Sequence, residues 1–179
     1  MLNQQTVAVV VSAYNEGKQL AMVIDSLPAF VDRIVVINDC SKDNTAEVAL
    51  GYVTRFEGKG LPIERLKKDT SNSLYNKADE LVFEIFDEET RHLPAYKVVN
   101  NTPERDRVIL INHVVNSGKG AAVATGYDWC RRFGIDCTVT IDGDGQMDPT
   151  EMEKICMPVT TKEVDFVKGN RLSHRAAHI

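Results

Sequence analysis

Short apolar runs alternate along this chain with polar loops and amphipathic stretches. Residues 6–12 are a continuous apolar run, which predicts a strand, and the polar residues 13–17 break it. Leu20, Val23, Ile24 and Leu27 then recur at helical spacing ahead of Pro28. Residues 33–38 repeat the strand signal and 39–43 form a loop. Asp43 is placed to cap a helix in which Ala46, Val48, Ala49, Tyr52 and Val53 run toward Phe56. A third strand is predicted at 108–112, a glycine-rich turn at 116–120, a helix from about 121 to 133, and a fourth strand at 137–141. Asp148 before Pro149 reads as a helix N-cap followed by a first-turn proline, and residues 166–171 read as a fifth short strand.

The order β-α-β-α-β-α-β predicts an α/β, Rossmann-like fold: a mostly parallel sheet with helices on both faces and right-handed crossovers. In such a sheet ligands gather at the carboxyl edge of the strands. Every polar loop named above falls on that edge. Residues 58–106 interrupt the rhythm with many charges, yet Leu74, Ala78, Leu81, Val82, Ile85 and Phe86 share one helical face. The segment is read as a helical insertion, a surface excursion packing over the sheet in preference to a lid.

With 179 residues and a formal charge of -5, the chain can bury a core as one domain with an embellishment. No basic run is present to neutralise a nucleic-acid backbone, so any phosphate recognition must be local. Cys40, Cys130, Cys137 and Cys156 form no C-x-x-C pair, and the N-terminus is polar, which points to a reducing, cytoplasmic compartment. No apolar stretch approaches the roughly 20 residues of a membrane span. Work at a membrane surface stays open.

The candidate chemistry sits in the loops. The fourth apolar run feeds into Asp142-Gly143-Asp144, and carboxylates one residue apart at a strand tip are hard oxygen ligands suited to Mg²⁺ or Mn²⁺ on a diphosphate. Asp and Gly also build ordinary turns, so the motif alone leaves both readings open. Tyr14, in the loop Ser12-Ala13-Tyr14-Asn15-Glu16, offers a face on which a base can stack, against an ordinary helix-entry turn. Asp39 can accept a hydrogen bond from a base or ribose, or hold its own turn. Gly118 permits close backbone approach to a diphosphate and Lys119 adds a point charge, although the spacing of a Walker motif is absent. Arg171 can reach a phosphate oxygen or lie solvated near the chain end.

Taken in order, Ser12-Ala13-Tyr14-Asn15-Glu16, Asn38-Asp39-Cys40-Ser41-Lys42-Asp43-Asn44-Thr45, Asn116-Ser117-Gly118-Lys119-Gly120-Ala121-Ala122, Asp142-Gly143-Asp144-Gly145-Gln146 and Gly169-Asn170-Arg171 resemble glycosyltransferase family 2, the dolichyl-phosphate mannose synthase type most of all. The resemblance implies a GT-A fold, a nucleotide-sugar donor (UDP- or GDP-sugar) and Mg²⁺ or Mn²⁺. It implies transfer to a polyprenyl-phosphate or saccharide acceptor with inversion, and peripheral work at the cytoplasmic face of a membrane. Ser12, Tyr14, Glu16, Asp39, Gly118, Lys119, Asp142 and Arg171 are then the expected nucleotide-sugar contacts. Asp142, Asp144 and Gln146 are the implied metal ligands, with Asp142 sharing the metal or holding the ribose. No catalytic base can be assigned.

Asn38 and Cys40 depart from the family's usual Asp and Gly, and the 58–106 insertion is long. Little follows Arg171, so the acceptor-binding portion is expected to be missing. Two rival readings remain: a catalytically incomplete nucleotide-sugar-binding module, and a sugar nucleotidyltransferase. The second lacks the Gly- and Arg-bearing loop expected after its first strand.

Overall fold

Val7–Ala13 is buried at every position, as a strand covered on both faces must be, and this strand, β1, is the centre of the fold. The structure is a computed structural model that describes residues 1–66 and 76–169. Around β1 the chain builds α1 (Leu20–Ser26), β2 (Arg33–Asn38), α2 (Thr45–Arg55), α3 (Asn76–Thr90), β3 (Tyr96–Val98), β4 (Val108–His113), α4 (Lys119–Arg132), β5 (Cys137–Asp142) and α5 (Met152–Thr160). The sheet order is β3-β4-β2-β1-β5, parallel except where β3 pairs antiparallel with β4. The α/β class read from the sequence is the class the structure has.

Alternation along β1 sorts the two layers. Val7, Val9 and Val11 point toward α1, α2 and α5, where they meet Leu20, Val23, Ala49, Tyr52, Met152 and Cys156. Ala8 and Val10 point to the other face, against Ala122, Trp129 and Phe133 of α4. Each Val, Leu, Met or Phe side chain among these contributes roughly 1.5–3 kcal/mol when fully buried. Gly126 lets α4 approach closely, since a Cβ there would lie 2.3 Å from Val10 Cγ1.

The chain moves from β1 outward to β2 and β4, then returns through α4 to place β5 on the other side of β1. The sheet therefore reverses its winding between β1 and β5. At such a switch point the crossovers leave a crevice beyond the strand ends. Ser12 stands opposite Asp142 in that register.

Three parts of the chain differ from the sequence reading. Residues 166–169 are not a strand, and Arg171 lies outside the described residues; Phe166 is 75% exposed, so two apolar residues without a strand to pair with do not form one. The insertion carries a helix, α3, but it does not lie over the sheet. It rests against the C-terminal end of α4, where Arg131 binds Glu89 at 2.9 Å and sits 3.9 Å from the Phe86 ring. Leu81, Val82 and Ile85 are exposed, Leu74 lies outside the described residues, and Phe83 and Phe86 turn inward beside Arg131. Since α4 begins at the carboxyl edge and spans about 20 Å at 1.5 Å per residue, α3 stands at the far end of that helix from the strand tips.

The third difference is the short β3, followed by a root that a buried arginine ties down. Arg33, fully buried at the start of β2, donates to the carbonyls of Leu61 and Glu104, one from each side of the insertion. Asp106 accepts from Gly58 N, Asn100 Nδ2 and Thr102 Oγ1 to close the same root.

Candidate functional site

The loops after β1 and β2 are stitched together by backbone donors. Asn15 N donates to Ser41 Oγ, Glu16 N to Thr45 Oγ1, Gly17 N to Asp43 Oδ2, and Lys42 N to Asn15 Oδ1. Asn15 and Cys40 take positive φ angles of 57° and 58° in these turns. Asp43, expected as a cap, also accepts from Thr45 N at 3.0 Å at the start of α2. Asn38 keeps hydrogen bonding without a charge: its Nδ2 donates to Asn112 Oδ1 and its Oδ1 accepts from Ser41 N.

This stitching brings Ser12, Tyr14, Glu16, Asp39, Lys119, Asp142 and Asp144 around one open cleft of about 160 Å³, with Ala13 and Ala122 as its apolar wall. Tyr14 is 43% exposed, leaving its ring face accessible. Asp142 accepts from Lys119 Nζ at 2.6 Å and from Ser12 Oγ at 3.3 Å. Lys119, the first residue of α4, thus spans from one strand tip to another. Asp144 Oδ1 accepts from Gln146 N in the turn, and the Gln146 side chain is exposed at the rim.

Glu16 is the most perturbed acid of the group. Its Oε2 is shut from solvent without a hydrogen-bond partner, and it lies where a Cβ on Gly143 would meet it at 2.2 Å, directly over the residue between the two aspartates. Burial, then the charges of Asp144 and Asp142, push its carboxyl up to about 7, against a smaller pull from Lys119. The cleft holds more negative charge than its one lysine offsets.

Asp39 is reached from three directions. It accepts from Ser117 N at 2.8 Å, Gly118 N at 2.7 Å and the His113 ring Nδ1 at 2.8 Å. These donors outweigh its burial and hold its carboxyl below the ordinary range. Gly118, with φ of 83°, makes the bend that turns its N–H onto Asp39, which no other residue type does without strain. His113 and Thr125 were not picked out from the sequence; a histidine closing the apolar run of β4, beside a polar loop, was the only signal.

Of the sequence-derived site residues, Ser12, Tyr14, Glu16, Asp39, Lys119, Asp142 and Asp144 line the cleft, whereas Gly118 stands behind it with its N–H spent on Asp39, the exposed Gln146 is off the lining, and Arg171 lies outside the described residues. Among the described residues no group of three His, Cys, Asp or Glu side chains is arranged to hold a metal ion by itself. Nor is any helix among them long and apolar enough to cross a membrane.

Comparison with known proteins follows the same lines. Residues 8–76 and 91–177 match the model of glycosyl transferase family 2. A UDP-N-acetylglucosamine–dolichyl-phosphate N-acetylglucosaminyltransferase of Methanococcus voltae is 25% identical over 166 residues, 92% of this chain and 51% of that protein. A dolichyl-phosphate β-glucosyltransferase of Trichomonas vaginalis is 41% identical over 177 residues, 90% of this chain and 37% of its own length. The chain therefore spans about half or less of these relatives. Among solved structures, that of glucosyl-3-phosphoglycerate synthase from M. tuberculosis aligns over 93% of this chain and 83% of its own at 14% identity, with a TM-score of 0.23.

Proposed function

The chain belongs to glycosyl transferase family 2, and on that footing we propose that it moves a sugar from a UDP- or GDP-sugar to a polyprenyl phosphate, with inversion at the anomeric carbon. The observation that carries this reading is the convergence of the β1, β2 and β5 tips with the start of α4 on one cleft lined by Tyr14, Asp39, Lys119, Asp142 and Asp144. An aromatic face for a base, an acceptor for its N–H, and acids with a lysine for two phosphates are the parts that a nucleoside diphosphate requires.

The donor set fits Mg²⁺ or Mn²⁺. It is all oxygen, it presents carboxylates on both sides of Gly143, and the partnerless Glu16 oxygen marks an excess of negative charge. Two carboxylates without a complete cage suit a cation whose remaining ligands are substrate phosphates and water. Asp144 is the first residue proposed to hold it, with Asp142 shared and Gln146 reaching from the rim. Such an ion supplies charge stabilisation to the departing nucleoside diphosphate.

The chain's own groups do the rest. Tyr14 stacks on the base, Asp39 accepts from it, and Lys119 turns from Asp142 toward the diphosphate as a mobile point charge. Asp142 keeps the sugar-facing wall anionic, which favours positive charge developing at the anomeric carbon. An acceptor phosphate oxygen attacks that carbon while the bond to the donor's β-phosphate oxygen breaks. Being anionic already, it needs no base. The relatives from M. voltae and T. vaginalis, both named as dolichyl-phosphate sugar transferases, support this acceptor. Such an acceptor lies at a bilayer surface, so the proposed working place is peripheral, at the cytoplasmic face; the four free cysteines suit a reducing compartment.

The test is transfer of labelled sugar from UDP- and GDP-sugars to dolichyl phosphate in detergent with Mn²⁺. Organic-extractable label, with one nucleoside diphosphate released per sugar, is expected. Donor binding without any transfer would instead establish a binding module. Pyrophosphate release from a nucleoside triphosphate and a sugar phosphate would establish a nucleotidyltransferase.

A further inference from the structure

The carboxylate that faces the base has little capacity left. A carboxylate offers about four acceptor positions, two on each oxygen. On Asp39, Oδ1 already receives His113 Nδ1 and Ser117 N, each at 2.8 Å, and Oδ2 receives Gly118 N at 2.7 Å. These partners cannot swing aside, because the side chains of His113 and Asp39 are 0% and 4% exposed and His113 Nε2 lies 3.0 Å from Thr125 Oγ1. With Nδ1–H given to the carboxylate, Nε2 of a neutral ring accepts from the Thr125 hydroxyl. One acceptor position remains, on Oδ2, and Asp39 lines the cleft.

We propose that this arrangement makes the site selective for uracil over guanine, and that His113 is the positioning residue that imposes the choice by filling Oδ1. The inference rests on the donor-binding reading of the cleft and narrows it to UDP-sugars. Uracil presents a single imide N–H, which one open position satisfies. Guanine presents N1–H and a 2-amino N–H side by side and needs one open position on each oxygen. Its second N–H is left without a partner, the kind of mismatch by which buried polar groups discriminate strongly.

The test is calorimetric titration of the 179-residue chain with UDP, GDP, CDP and ADP in Mn²⁺. UDP is expected to bind more tightly than GDP by about tenfold or more. His113→Leu, which removes the Oδ1 donor, is expected to shrink that ratio to about threefold or less, whereas His113→Asn, which keeps an N–H near the Nδ1 position, preserves it. A purely structural role for His113 would weaken all four nucleotides in proportion and leave the ratio untouched, which overturns its assignment. If His113→Leu does not fold, the wild-type panel and His113→Asn still decide: GDP binding as tightly as UDP sinks the selectivity while leaving the donor-binding reading intact. Binding of none of the four sinks that reading and this inference with it.

Discussion

Replacing Glu16 with Gln tests the charge balance of the cleft without disturbing its volume. In the folded, metal-free protein the Glu16 carboxyl is raised from 4.5 to about 7 by burial and by Asp144 and Asp142. A carboxyl raised in this way binds its proton more tightly folded than unfolded. Its stabilising share is therefore complete below the unfolded value and is lost as pH climbs through the folded one. A rise from 4.5 to about 7 corresponds to roughly 3–4 kcal/mol. Glu16 is only partly buried, so solvent screening reduces this to about 1–2 kcal/mol. Thermal melts in EDTA from pH 4 to 8.5 are the assay. Wild type and Glu16→Gln are expected to lie closest near pH 4, to separate progressively between 4.5 and about 7, and to hold their full separation above that, with the Gln variant melting higher by about 2–8 °C. Parallel curves, or a wild type more stable than the variant at pH 8, would refute the acid cluster as described.

Asp144→Ala is expected to abolish the manganese-dependent part of the thermal shift given by a nucleoside diphosphate, read by dye fluorescence with and without Mn²⁺; an undiminished shift removes Asp144 from the site. Lys119→Met is expected to weaken nucleoside diphosphate binding by roughly tenfold or more through loss of a charged phosphate contact. Its melting temperature should hardly move, because the pair with Asp142 leaves Lys119 63% exposed and such pairs contribute little. Gly51→Ala in α2, where an added Cβ meets nothing within 4 Å, is expected to stabilise by about 0.5–1 kcal/mol. Gly126→Ala in α4 is expected to cost about 1–3 kcal/mol, because its Cβ would strike Val10 Cγ1 at 2.3 Å; chemical denaturation curves of the two variants should move in opposite directions.

What could be read from the chain was whatever is local. β1, β2 and β4 are apolar runs whose burial follows largely from composition, β5 is a half-buried strand at the sheet edge, and parallel pairing follows from the helices between them. The cleft was legible because a parallel sheet gathers its loops on one edge, so Tyr14, Asp39, Lys119 and Asp142 share that edge; which strands are adjacent was not readable from the chain. What escaped was set by contacts distant in sequence. Arg33 reads as a polar flank to a strand, and only the carbonyls of Leu61 and Glu104 make its burial tolerable. His113 gains its meaning from Asp39, 74 residues away. The three residues of β3 carry no periodicity, and they form a strand only because β4 offers an edge. α3 carries an apolar face in sequence but leaves much of it exposed, because its anchors are Arg131 and Arg132 of another helix.

The most direct test of the central claim is a crystal structure of the chain grown with UDP and Mn²⁺. The account expects the uracil ring against Tyr14 with its N3–H on Asp39, and the two phosphates between Lys119 and a cation held by Asp144. A nucleotide bound elsewhere on the molecule, or bound in this cleft with its phosphates turned away from Asp142 and Asp144, would contradict it.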